Sequence, residues 1–408
     1  MIKLSQHEVT MLLIQLGIML ITGRVFAEFA RAVRQPGVVG EILAGIVLGP
    51  TVFGMFFPEL FNTVFGTGNS ALVLDGIVQV AVVMLLFIAG LEVDLNIVIR
   101  QGRQALLTSS FGLVIPFVLG AALPFLMPEL LSVDEDKDLV PFALFMGSSM
   151  AITALPVIAR ILMDIDLFKT KIGMLIISSA MITDLVGWLV FSVVLGLIAT
   201  DDVRSPLLYT ILLTLGFALF MLTIGRWLIN RLLPWINKSL AWPGGVLSLS
   251  LALCFLAGAL TEFIGIHAIF GAFLFGVALG DSVHMSERAK EIVHQFINNV
   301  FAPFFFVAIG LKVNFITNFD LLLTVIIVVV AFAGKIAGST WGTRLGGFSL
   351  RESFAAGFGM NARGAMEIIL GIVALESGLI NETVFVSLVI MALITSMSSG
   401  PMMKWVLK

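Results

Sequence analysis

Met174-Leu-Ile-Ile-Ser-Ser-Ala-Met-Ile-Thr183-Asp184-Leu-Val-Gly-Trp-Leu-Val-Phe-Ser-Val-Val-Leu-Gly-Leu-Ile-Ala199 is an apolar run with a single carboxylate near its centre. No other ionisable side chain lies between Lys171 and Asp201. A helix that crosses a bilayer needs about 20 residues, so the run is long enough to span one. A charge at mid-membrane costs about 2.5–3.5 kcal/mol on insertion scales. Such a residue reads as an ion- or proton-handling group with a partner on another helix. Just upstream, Ser149-Met-Ala-Ile-Thr153-Ala-Leu-Pro156-Val-Ile-Ala-Arg160 places a proline inside a second apolar span. Proline removes a helical N–H and frees carbonyls at membrane depth. A broken helix beside a buried carboxylate predicts a cation site.

Working outward, the whole chain has this character. It is 59% hydrophobic and 12% charged, against about 25% charged in soluble domains. The composition therefore predicts an all-α polytopic membrane protein with little soluble mass. Cys254 is the sole cysteine, which excludes an intramolecular disulfide and a thiolate metal cluster. The N-terminus lacks a basic region and a small-residue cleavage site, so no cleaved signal peptide is expected.

Apolar segments fall at 9–30, 37–57, 74–92, 105–127, 140–163, 172–199, 206–230, 245–263, 265–282, 296–313, 320–342, 353–375 and 380–403. Gln35-Pro36 and Gly265 interrupt the two tightest pairs. The basic residues test this count of thirteen. Arg31, Arg34, Arg100, Arg103, Lys169, Lys171, Arg226, Arg231, Lys238, Arg288, Lys290, Arg344, Arg351, Lys404 and Lys408 fall in one set of alternate loops. The other set holds Lys3, Lys137, Arg204 and Lys312, with the acidic stretches 134–138 and Asp201-Asp202. The positive-inside rule then predicts the N-terminus outside and the C-terminus in the cytoplasm. Losing one span would scramble the alternation.

Six spans on each side of a linking span predict two repeats, about 9–199 and 245–403, joined by 206–230. The first repeat breaks between Thr153 and Pro156 in its fifth span. The fifth span of the second holds Gly357-Phe-Gly-Met-Asn-Ala-Arg363-Gly-Ala-Met-Glu367. Interrupted helices at matched positions are the mark of inverted repeats with a midplane binding site.

Further charges lie within the spans. Lys335 is deep in 320–342; it reads either as a buried partner charge or as a lysine snorkelling towards the cytoplasmic side. Arg363 and Glu367 are four residues apart and can pair, which reads as a structural pair at a helix break. Glu41 and Glu262 sit near span ends, where packing or interfacial roles are expected. His7, His267, His284 and His294 show no metal-ligand spacing, and the Gly-x-Gly patterns follow no strand. No cofactor and no nucleic-acid partner are expected.

The chain resembles the membrane domain of monovalent cation/proton antiporters of the second, Kef- and NapA-like, branch. The resemblance rests on Gln35-Pro36-Gly-Val-Val-Gly-Glu41-Ile-Leu-Ala-Gly-Ile-Val-Leu-Gly-Pro50, Leu86-Phe-Ile-Ala-Gly-Leu-Glu92, Ala154-Leu-Pro156-Val-Ile-Ala-Arg160, Ala180-Met-Ile-Thr183-Asp184, Pro303-Phe-Phe-Phe-Val-Ala-Ile-Gly310 and Lys335-Ile-Ala-Gly338. It implies two crossed broken helices, a mobile core domain and a dimerisation domain in a homodimer. It also implies that Asp184 binds the ion and that Lys335 is its partner charge. Sodium-specific electrogenic members carry two adjacent aspartates; here the first of those positions is Thr183. Kef-type members add a cytoplasmic nucleotide-binding regulatory domain, which this sequence of 408 residues does not contain.

The resulting expectation is a secondary antiporter in the cell (inner) membrane that exchanges Na⁺ or K⁺ for H⁺, and not an enzyme. Asp184 binds cation and proton in competition. Ser149, Thr153 and Thr183 supply hydroxyl oxygens, as a hard cation prefers. The alternative is a sodium-coupled symporter of small organic anions on a similar inverted-repeat fold, in which half-helix N-termini would hold the anion.

Overall fold

The computed structural model describes residues 4–408 except 34, 67, 94, 132–138, 169 and 199–206. Lys3, Arg34, Lys137, Lys169, Asp201, Asp202 and Arg204, used above to assign sidedness, therefore lie outside the described residues. The helices are α1 Gln6–Ala32, α2 Gly37–Leu48, α3 Phe53–Phe56, α4 Pro58–Phe65, α5 Asn69–Leu91, α6 Leu95–Leu126, α7 Leu139–Ala151, α8 Leu155–Asp164, α9 Lys171–Ile198, α10 Leu207–Phe220, α11 Arg226–Ser239, α12 Gly244–Phe263, α13 Ala268–Gly280, α14 Glu287–Phe296, α15 Ala302–Lys312, α16 Leu321–Leu345, α17 Leu350–Met360, α18 Ala365–Glu376 and α19 Glu382–Leu407. Single π-helical turns, Met221–Gly225 and Ile297–Phe301, join α10 to α11 and α14 to α15.

Ten of the resulting helices are long and apolar enough to cross a membrane. Adding α13 and the two broken passes, α7/α8 and α17/α18, gives thirteen passes among the described residues, as the apolar runs predict. Contacts between helix ends far apart in sequence fit an alternation of two faces. Asn69 Nδ2 donates to Glu8 Oε1 at 2.8 Å, and Lys312 Nζ lies 3.0 Å from Asp75 Oδ1, both on the face that carries the N-terminus. His294 Nε2 lies 3.0 Å from Glu92 Oε1 and Gln104 Nε2 donates to Gly346 O at 3.2 Å, both on the opposite face. The second six passes start on the opposite face from the first six, which is the orientation that inverted repeats require.

Helix starts follow ordinary capping chemistry. Ser5 and Ser349 each form a capping box, with Glu8 and Glu352. Asp320 and Asn381 accept from the backbone N–H groups of Leu323 and Val384.

Two packed groups of helices emerge. In one, α1, α2 and α15 pack together, and α5 packs on α13 and α15. In the other, α6 packs on α7, α9 and α16, while α16 carries α17 and α19. Small residues set the spacing, as is usual between membrane helices. A Cβ at Gly338 would sit 2.3 Å from Phe111 O, and one at Gly45 would sit 2.2 Å from Val307 O. Those approaches bring α16, with Lys335, against α6, and α2 against α15. The outward face of α1 is apolar, with Leu13, Ile21, Val25 and Phe29 all well exposed. This is what a lipid-facing or partner-facing helix presents.

Candidate functional site

The two broken passes meet at their breaks. α7 ends at Ala151, and α8 begins at Leu155 after the extended cap residue Ala154. α17 ends at Met360, and α18 begins at Ala365 after Gly364. A helix end leaves its terminal N–H and C=O groups without intrahelical partners, and here each break supplies partners for the other. The Ala154 N–H donates to Ala362 O at 2.9 Å, and the Thr153 hydroxyl donates to Met360 O at 2.8 Å. In return Arg363 donates through Nη1 to Ser149 O at 2.5 Å and through Nη2 to Met150 O at 2.6 Å. Lys335, reaching in from α16, donates through Nζ to Ala151 O. The last carbonyls of α7 thus face two cations, which is the favourable sign at the negative end of a helix dipole. The crossing is close: a Cβ at Gly364 would lie 3.0 Å from Ala154 Cβ and 2.7 Å from Val157 Cγ2.

Asp184 enters this crossing from α9 and is 2% exposed. Its Oδ2 accepts from the Leu155 N–H at 3.3 Å, so the carboxylate faces the positive end of α8. Among the described residues its Oδ1 has no hydrogen-bond partner. Thr183, beside it, is buried and donates to Ala180 O of its own helix at 2.9 Å. The Ser149 hydroxyl is buried and, among the described residues, unpartnered. The hydroxyls of Ser149, Thr153 and Thr183 are all buried.

A second buried carboxylate occupies the matching place in the other break. Glu367 sits in the first turn of α18, 2% exposed, and its Oε1 lies 3.1 Å from Arg363 Nη1. The backbone of Arg363 is held in turn by Ser396 of α19, whose hydroxyl accepts from the Arg363 N–H at 3.2 Å and donates to its carbonyl.

Of the residues expected at the site, the structure brings together Ser149, Thr153, Asp184, Lys335, Arg363 and Glu367. It does not bring Glu41 there: that side chain is buried on α2, whose neighbours are α1 and α15. Lys335 is 0% exposed and so does not snorkel. Among the described residues its ammonium meets the Ala151 carbonyl and forms no ion pair with Asp184. Sequence reasoning missed Ser396 and took Asn361 only as part of a helix break. Asn361 is 1% exposed, and among the described residues both polar atoms of its side chain lack a partner. An asparagine in a glycine-rich stretch of an apolar span was the available signal for that residue; Ser396 gave none.

Residues 17–408 match the family model described as "Sodium/hydrogen exchanger, transmembrane". The chain belongs to this family of monovalent cation:proton antiporters. Among its relatives in the family is the Na(+)/H(+) antiporter NhaS4 of Synechocystis sp., 33% identical over 96% of this chain and 95% of that protein. The Na(+)/H(+)-K(+) antiporter GerN of Bacillus cereus is 28% identical, again over 96% of this chain and 95% of that one. Cation/H(+) antiporter 17 of Arabidopsis thaliana is 33% identical over 99% of this chain but 49% of its own length. The chain thus spans about half the length of that plant relative. The solved structure of the sodium proton antiporter MjNhaP1 from Methanocaldococcus jannaschii superposes with a TM-score of 0.67 at 18% identity, covering 98% of this chain and 97% of that one. At that identity the likeness is one of fold, and it matches the inverted repeats with crossed broken helices described above.

Proposed function

We propose that this protein exchanges Na⁺ or K⁺ for H⁺ across a cell membrane by alternating access, with cation and proton competing for Asp184. The observation that carries the reading is the contrast in charge between two buried carboxylates. Glu367 has a guanidinium at 3.1 Å, whereas among the described residues Asp184 accepts from the Leu155 N–H, has no hydrogen bond on Oδ1 and has no ion-pair partner. A protonated Asp184 is neutral, and a cation-bound Asp184 is neutral overall. Either form crosses an apolar barrier far more cheaply than the bare carboxylate. Asp184 Oδ1 and the hydroxyl oxygens of Ser149, Thr153 and Thr183 supply the all-oxygen donor set that a hard cation prefers.

Lys335 and Arg363 serve the end of α7 on this account and stay charged throughout the cycle. One cation then moves against one proton, without net current. Under the positive-inside rule the face carrying the N-terminus is outside. The exposed apolar face of α1 is the place for the twofold partner of a homodimer. The relatives named above are cation/proton antiporters by name, so an organic-anion symporter is not favoured.

Reconstituted proteoliposomes carrying a pH dye test the proposal. An imposed Na⁺ or K⁺ gradient should drive proton movement with no organic solute present. Asp184→Asn keeps the side-chain shape but cannot cycle a proton, and it should fall to the level of empty liposomes while remaining monodisperse. Exchange by that variant near the wild-type rate would end the proposal.

A further inference from the structure

On the N-terminal face the two helix groups are joined by a small ionic network that the crossing does not use. Lys312, at the end of α15, lies 2.6 Å from Glu376 Oε1 and 3.0 Å from Asp75 Oδ1. Gln79, one turn further along α5, donates to Glu376 Oε2 at 3.1 Å. Lys312, Asp75 and Gln79 belong to the α5–α15 group. Glu376 is the last residue of α18, which packs on α7 and α19 of the other group. The side chains of Lys312 and Glu376 are about one-third exposed, at 29% and 32%. On the opposite face, the pairs Arg226–Asp281 and Glu92–His294 join α11 to α13 and α5 to α14, all within the α5–α15 side of the molecule.

The position of Glu376 matters because α18 is a short rigid rod. Its first turn holds Glu367 and the Gly364 break at the crossing; its last residue is Glu376. Twelve helical residues at about 1.5 Å each span about 18 Å. A tether at one end therefore constrains the other.

We propose that Glu376 is a positioning residue, held by Lys312 and Gln79 in an ionic latch that keeps the N-terminal-face ends of the two helix groups together. Release of Glu376 from Lys312 accompanies opening of the crossing towards that face. Asp75 holds Lys312 in place while Glu376 leaves, so the ammonium is never stranded without a carboxylate. The inference rests on the alternating-access reading for its purpose, but the latch itself is a contact that can be tested without transport.

The test is the labelling rate of a cysteine at Val373, a buried residue three positions before Glu376 on α18 and so one turn deeper on the same face. Cys254→Ala removes the native thiol from the background. A membrane-impermeant maleimide is applied from the N-terminal face to the full chain in oriented vesicles. Glu376→Gln and Lys312→Met should each speed labelling about fivefold, the size of effect expected for losing one partly exposed ion-pair network. Raising salt to about 1 M, where the screening length falls to about 3 Å, should speed labelling with Glu376 and Lys312 intact and leave the two variants unchanged. The salt arm needs no substitution in the latch, so it decides the matter even if a variant folds poorly. Equal labelling rates with and without Glu376→Gln, together with no salt effect, would overturn the latch. The labelling ratio is read whether or not the protein exchanges ions, so a failure of the antiport reading would be seen separately.

Discussion

The two helix breaks meet the same backbone problem with opposite balances of charge. In the second break a carboxylate in the first turn of α18, Glu367, is neutralised by Arg363 from the break itself. In the first, the carboxylate facing the start of α8 is Asp184, which arrives from a different helix, accepts from the Leu155 N–H and, among the described residues, forms no ion pair. The cations nearest the first break, Lys335 and Arg363, are spent on the carbonyl end of α7. The difference separates a scaffold from a site. On the proposed function, the compensated carboxylate holds the crossing together and the other takes a small cation, H⁺ included.

The comparison breaks first at Arg363. Arg363→Met leaves Glu367 buried without its partner and the Ser149 and Met150 carbonyls without donors. Removing one member of a buried pair costs about 3–5 kcal/mol, so a large fall in thermal stability in detergent is expected. Adding Glu367→Met should recover part of that loss, with the double variant costing less than the sum of the singles. Additive losses would show that the pair does not act as a unit. A loss of exchange with unchanged stability in Glu367→Gln would move Glu367 from scaffold to site and erase the contrast.

A smaller effect is expected at Lys335. A glutamine there can still donate to Ala151 O, though without charge and with a shorter reach. Lys335→Gln should lose about 1–3 kcal/mol of stability, as for a weakened bond to a buried polar group. Exchange should persist, and recordings on solid-supported membranes should show no robust transient current with either lysine or glutamine present. A current that vanishes in Lys335→Gln while exchange continues would mean that Lys335 gives up a proton in the cycle, and the division of labour between the two breaks would need redrawing.

Much of the fold was legible because its signals are local. Thirteen apolar runs, two of them interrupted by Pro156 or by the stretch from Gly357 to Gly364 that holds Asn361 and Arg363, need no knowledge of neighbours. The alternation of Lys and Arg between loops gives the same count independently. Asp184, Lys335, Arg363 and Glu367 stood out because an ionisable group in an apolar run is costly wherever it lies. What each one touches was not legible. Lys335 meets a carbonyl 184 positions away, and Arg363 reaches carbonyls of α7 that no spacing rule connects to it. Thr183 adjoins Asp184 in sequence yet turns its hydroxyl to Ala180 on its own helix, since successive residues on a helix point about 100° apart. Ser396 escaped notice because a serine in an apolar helix is cheap and common. The Asp75–Lys312–Glu376 network joins residues from three distant helices near their ends, where charges are expected anyway.

The most direct test of the central claim is to count protons released when the cation binds. Purified protein in weakly buffered detergent solution, at a pH where Asp184 is protonated, is titrated with Na⁺ or K⁺ while a dye reports pH. Competition at one carboxylate predicts release of about one proton per cation bound in the wild type and none in Asp184→Asn. Release of two protons per cation, or binding of cation by wild type with no proton released, would contradict the account.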